Sequence, residues 1–164
     1  MEIIIIVILI LLNGVFSMSE IALVSSKRYK LEGLAKKGSS NANKALQLAS
    51  KPNTFLSTVQ IGITLIGILT GLFSGESLTE PLKIWLDQFV SIAPYSNQIA
   101  ITIVVVFITF FSIVFGELIP KRIGMMFPEA IATIVAPSMK LLSMLAKPFI
   151  ALLTATSDLV LAII

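Results

Sequence analysis

"ITIVVVFITFFSIVFGELIPKRIG", Ile101 to Gly124, is the stretch on which the fold turns. From Gln98 to Gly116 no residue is charged. A hydrocarbon core of roughly 30 Å is crossed by about 20 mostly apolar residues in helical form. This stretch supplies them before Glu117, Lys121 and Arg122 mark its end. Two other segments meet the same requirement, so the predicted spans are residues 3–26, 54–73 and 98–120. The runs are continuously apolar, which excludes the alternating pattern of β-barrel strands. Composition agrees: the 164 residues are 56% hydrophobic and 13% charged, with a mean hydropathy of +0.99, far from a soluble domain of this length. The predicted fold is an all-α membrane protein with three transmembrane helices.

There is no cysteine and no histidine. Disulfides, thiolate metal sites, imidazole ligands and histidine bases are thereby excluded, and oxygen atoms must carry any metal chemistry. The N-terminus lacks a basic region and a small-x-small cleavage site, so the first apolar run reads as a retained span.

Charge sets the expected orientation. Between Lys27 and Lys51 seven lysines and arginines face a single acid, Glu32, whereas Glu76, Glu80 and Asp87 outnumber Lys83 in the segment 74–97. Cytoplasmic loops are enriched in Lys and Arg. The first loop is therefore expected inside and the second outside, with an external N-terminus, a cytoplasmic C-terminus and a cell-membrane, multi-pass location. Lys27, Arg28, Lys121 and Arg122 form the inner-interface basic set, suited to an anionic inner leaflet. Topology accounts for these charges, and no nucleic-acid partner is expected.

Around the spans, apolar residues at Tyr29, Leu31, Leu34 and Ala35, then Ala42, Ala45, Leu46 and Leu48, predict two amphipathic helices within 27–51 at the inner interface, with "GSS" between them. Pro52 ends the second, and Asn53 or Thr54 is positioned to cap the next span. Trp85 and Tyr95 suit the outer interface. Beyond Pro128 the chain stays apolar but carries Pro137, Pro148, Glu129, Lys140, Lys147 and Asp158. A proline-kinked juxtamembrane belt helix at about 128–160 is the expectation, with a fourth crossing at 148–164 as the alternative. The chain stops on "LVLAII", as though a soluble part followed. Three spans without an internal repeat call for a second copy to complete a symmetric pathway, so a homodimer is expected.

Polar groups in the spans fall into stripes. Asn13, Ser17 and Glu20 lie at i, i+4 and i+7, one helical face; Ser57, Gln60, Thr64, Gly67 and Gly71 make another. Pro120 lacks an N–H and its ring crowds the carbonyl of Gly116, four residues back, beside Glu117. An acidic residue at a helix centre costs roughly 2.5–3.5 kcal/mol on insertion scales. Glu20 and Glu117 therefore need partners, whether by snorkelling to Lys27, Lys121 and Arg122 or at a site. The site reading is an oxygen-lined cation site of Ser17, Glu20, Gln60, Thr64, Gly116 and Glu117, with Asn13, Gly14, Gly67, Gly71 and Pro120 as hinge or packing positions. Hard cations such as Mg²⁺ prefer such donors, and an organic diamine also fits two carboxylates.

Two motifs carry a resemblance: "NGVFSMSEIALVSSKRYKLEGLAKKG", from Asn13, and "VFGELIPKRIG", from Val114. Together they resemble the transmembrane domain of the CNNM/CorC magnesium transporter family, also described as hemolysin-like, over essentially the whole chain. The resemblance implies a dimer of three spans with a juxtamembrane belt and a cytosolic CBS pair downstream of residues 1–164. It also implies an inward-facing Mg²⁺ site that uses Ser17, the second span and Glu117, with Glu20 at a position often Asn or Glu. Mg²⁺ is then the bound substrate ion, with no other cofactor. Magnesium-transporting members of that family commonly carry asparagines after the second-span glycine, whereas this chain has Gly62 then Ile63, with Gln60 and Thr64 alongside. "SMSE" with "VQIGIT" is similar to the subgroup that includes a cadaverine and putrescine exporter.

The expected function is export of divalent cations, Mg²⁺ foremost and Co²⁺ besides, by alternating access. Polyamine export is the first alternative, and a non-transporting membrane anchor and dimerisation module for a CBS region is the second. None of these is enzymatic catalysis.

Overall fold

Long apolar runs fold as helices because only a helix satisfies its own backbone polar groups away from water. The computed structural model describes residues 2–89 and 92–161, and among them every regular element is helical. The order is α1 (Glu2–Ser25), α2 (Arg28–Lys36), α3 (Ser40–Ala49), α4 (Pro52–Leu86), a 3₁₀ turn (Ala93–Tyr95), α5 (Ser96–Ile113), a π-helical segment (Val114–Leu118), α6 (Ile119–Met126) and α7 (Pro128–Leu161). Val90 and Ser91 of the expected external segment, and the last three residues of the alternative crossing 148–164, lie outside the described residues.

Four stretches are long and apolar enough to cross a membrane: Glu2–Ser25, Pro52–Leu86, Ala93–Met126 and Pro128–Leu161. The protein is a multi-pass helical membrane protein. The fourth stretch is α7, for which the sequence offers both a belt and a crossing. Its helix continues through Pro137 and Pro148.

The helix that contains the predicted second span, 54–73, is longer than that span. It begins at Pro52, so Asn53 and Thr54 lie inside the first turn; proline fits there because its missing N–H has no helical partner to lose. The helix also runs on to Leu86, through Pro81, well past the apolar run. The helix-forming residues of 76–86 continue it, at the cost of the hydrogen bond that Pro81 cannot donate. Trp85 and Tyr95 are both exposed, and Trp85 packs edge-on against Phe89, with ring centroids 5.2 Å apart.

The helices divide into two packed units, Met1–Ser17 with Ile63–Pro120 and Met18–Gly62 with Lys121–Ile164. In the first, Ile6, Ile10 and Phe16 of α1, Ile66 of α4 and Ala100 and Val104 of α5 are buried. Ser96, at the start of α5, is buried and donates its hydroxyl hydrogen to Asp87 Oδ1, closing the connection from α4.

In the second unit α3 packs on α7, and α2 lies against both. Leu31, Ala42, Ala45 and Leu48 of the two short helices are buried, as are Ile131, Ala132, Val135, Ala136 and Met139 of α7. The α2–α3 turn needs Gly38 at φ +92°, a conformation that glycine adopts without a Cβ penalty. Ser39 then caps α3, its Oγ accepting from the Ala42 N–H at 3.2 Å. Glu129, in the first turn of α7, accepts from the Lys27 N–H at 3.3 Å and pairs with Lys30 at 3.3 Å. Outside these contacts, large aliphatic side chains such as Ile68, Leu72, Val106 and Ile134 stay exposed, as lipid-facing surface requires.

Candidate cation cavity

The "GELIP" sequence produces an irregular turn at the end of α5. From Val114 to Leu118 the helix widens to π geometry, with the Ile119 N–H bonding to Val114 O, five residues back. Such single-turn widenings displace carbonyls from the regular ladder and recur at functional sites. Pro120 has no N–H with which to reach back to Gly116, and Asn13 of α1 takes that place: its Nδ2 donates to Gly116 O at 3.2 Å.

Two glycines permit this approach. A Cβ on Gly14 would stand 2.9 Å from Phe115 O and 2.9 Å from Pro120 Cγ; one on Gly116 would stand 3.1 Å from Asn13 Nδ2 and 3.3 Å from Ile10 O. α1 and the π segment thus meet backbone to backbone.

Beside this junction, within the first unit, is a cavity of about 350 Å³. Its polar wall comprises Asn13, Thr70, Ser74, Thr109, Ser112 and Glu117, and Ile10, Ile66, Val105 and Ile108 supply aliphatic surface. The polar wall is biased towards accepting. Thr70 Oγ1 donates to Ile66 O at 2.8 Å and Ser74 Oγ to Gly71 O at 3.2 Å, so their hydrogens are committed and lone pairs are what they offer. Because Gly116 O can only accept, the Asn13 NH₂ must face it. That leaves Asn13 Oδ1 as a buried acceptor with no hydrogen-bond partner. A half-buried carboxylate, Glu117, completes the set. An acceptor-rich wall with one carboxylate is chemically suited to cations and hydrogen-bond donors.

The proposed ligand set is distributed differently from its sequence expectation. Glu117 lines the cavity, as do Asn13, Gly67 and Gly71 from the expected hinge or packing positions. Gly116 is buried and its carbonyl is engaged by Asn13. Ser17 is buried, and Thr64 is exposed; neither lines the cavity. Glu20, half-buried, and Gln60, exposed, belong to the second unit. Lys27 and Arg28 are exposed there, and Arg28 pairs with Glu32 at 2.9 Å. Lys121 is half-exposed and Arg122 exposed in the same unit. Among the described residues no three Asp, Glu, His or Cys residues cluster as a metal-holding group.

Sequence reasoning missed Thr70, Ser74, Thr109 and Ser112. The signal was present in α4: Gly67, Thr70, Gly71 and Ser74 lie at i, i+3, i+4 and i+7, one face.

A multi-pass helical membrane protein with an acceptor-lined cavity at a Gly-Glu-x-x-Pro turn is the class these features define. The family model described as the Cyclin M transmembrane N-terminal domain, CNNM, matches residues 4–164. This chain belongs to that family. A UPF0053 protein of Synechocystis is 50% identical over 161 residues, which is 98% of this chain and 36% of that protein. The polyamine export protein of Escherichia coli K12 is 34% identical over 131 residues, 80% of this chain and 29% of that protein. The Haemophilus influenzae polyamine export protein is 34% identical over 148 residues, 88% and 33% respectively. The chain therefore spans about a third of the length of these relatives.

Proposed function

We propose that this chain is the membrane part of an exporter of small organic cations, the diamines of the putrescine and cadaverine type, with the Glu117 cavity as their binding site. The observation that carries this reading is the wall itself, in which one carboxylate and acceptor oxygens alternate with aliphatic side chains. An ammonium group needs a counter-charge and acceptors for its three hydrogens, which Glu117, Asn13 Oδ1 and the Thr70 and Ser74 oxygens offer. The methylenes between two ammonium groups need apolar surface, which Ile66 and Ile108 offer. The volume lies in the lower range of small-molecule sites, roughly 300–1,000 Å³. That relatives a third identical over most of this chain are polyamine export proteins supports the same reading.

Export of Mg²⁺ is the second reading, and a specific observation favours it. The side chains of the polar wall offer oxygen only, apart from the Asn13 amide nitrogen engaged with Gly116, and Mg²⁺ is held by one or two carboxylates with several retained waters. In both readings the chain lies with its N-terminus outside and its C-terminus in the cytoplasm. Two copies form the pathway, and a cytosolic CBS region regulates it.

Efflux from proteoliposomes tests the proposal. Vesicles holding the protein and loaded with labelled putrescine are expected to lose it faster than protein-free vesicles, and Glu117→Gln is expected to abolish the difference. Mg²⁺ efflux without putrescine efflux would select the second reading. Loss of neither ion would leave the anchor role for a CBS region as the account of this domain.

A further inference from the structure

The second unit contains a different cavity, of about 370 Å³, at the junction of the end of α3, the start of α4 and the middle of α7. Lys51, Lys140 and Lys147 line it together with the hydroxyls of Ser50, Thr54 and Ser143, and no carboxylate is among its walls. Lys140 is held in place by a neutral group, donating to Gln47 Oε1 at 2.6 Å. Arg28 and Lys30 of this unit have acidic partners, Glu32 and Glu129 respectively. Among the described residues, none of the three cavity lysines is in an ion pair.

Like charges gathered on one cavity repel, and an anion between them removes the repulsion. α4 also begins at Pro52, between the lining residues Lys51 and Thr54, so the positive end of a 35-residue helix adds to the same potential. We infer that this cavity binds the phosphate of an anionic lipid headgroup. Two observations favour a lipid over soluble phosphate. Leu48, Phe55 and Met144 add apolar wall that inorganic phosphate has no use for. The cavity also lies at the start of α4, a helix long and apolar enough to cross a membrane, and the ends of a crossing helix meet the headgroup region. The site is separate from the Glu117 cavity and does not depend on the transport reading.

The test uses the purified chain in detergent, titrated with phosphatidylglycerol, phosphatidylcholine or inorganic phosphate and read by thermal shift and by lipid retention in native mass spectrometry. The double variant Lys51→Gln/Lys147→Gln leaves the Lys140–Gln47 bond in place and removes two unpaired charges. Each basic residue near an anionic surface contributes about fivefold in affinity, so about twenty-five-fold weaker phosphatidylglycerol binding is expected. The control Lys36→Gln/Lys37→Gln removes two exposed lysines outside the cavity and is expected to change binding less than twofold. Equal weakening in both double variants would overturn the site in favour of diffuse attraction, as would no weakening in the first. Protection by inorganic phosphate, with phosphatidylglycerol inert, would overturn the lipid assignment. Circular dichroism of each variant separates loss of binding from loss of fold.

Discussion

Gly14→Ala tests whether the backbone contact between α1 and the π segment holds the first unit together. The added methyl would stand 2.9 Å from Phe115 O and 2.9 Å from Pro120 Cγ, a backbone carbonyl and a closed ring that have no rotamer with which to retreat. Overpacking of this kind costs ~1–3 kcal/mol. The helix gains up to ~1 kcal/mol from exchanging glycine for alanine. The expected net effect is a loss of about 0–2 kcal/mol. Gly33→Ala in α2 isolates the propensity part, because its Cβ would meet nothing within 4 Å; that variant is expected to gain up to ~1 kcal/mol. The two therefore differ by ~1–3 kcal/mol, and at roughly 2–4 °C per kcal/mol the midpoints of thermal unfolding separate by about 2–12 °C, with Gly14→Ala lower. Equal midpoints, or a more stable Gly14→Ala, would refute the close approach.

Three further outcomes follow from single contacts. Asn13→Leu leaves Gly116 O without the amide that now donates to it, and a loss of ~1–3 kcal/mol is expected in the same unfolding assay. Ser39→Ala removes the cap of α3, costing ~1 kcal/mol, and faster hydrogen exchange is expected at the Ala42 amide. Glu129→Gln breaks a half-exposed ion pair with Lys30, so the expected loss is only ~0.2–1 kcal/mol, and the salt dependence of unfolding is expected to shrink.

Much of the helical layout was legible because its signals are local. The Gly38-Ser39-Ser40 break between α2 and α3 gave both a positive φ and a cap, and Leu31, Ala42, Ala45 and Leu48 are buried as their spacing required. Tyr29 and Leu34, assigned to the same apolar faces, are exposed, since a helix of nine residues packed on one side buries few positions. The extension of α4 through Pro81 was not legible, because proline lowers helix propensity without forbidding a helix whose neighbours continue it.

The cavity was legible in part for a related reason. The polar stripe at i, i+3, i+7 spacing follows Gln60, Thr64, Gly67 and Gly71 up α4, whereas the cavity takes Gly67 and Gly71 from it and adds Thr70 and Ser74 from the shoulder of that face. Serine and threonine in apolar helices bond back to their own backbone wherever they sit, so their identity alone does not say which of them faces a cavity. The carbonyl freed by Pro120 was foreseeable from sequence, but Asn13 as its donor was not, because that partner lies 103 residues away.

Isothermal titration of the purified protein with putrescine, on wild type and Glu117→Gln, reads the Glu117 cavity itself. Glutamine keeps the shape of Glu117 and removes its charge, so saturable binding by the wild type and about tenfold or more weaker binding by the variant are expected, with unchanged helicity. Putrescine affinity identical in the two proteins would contradict a cation site built on Glu117.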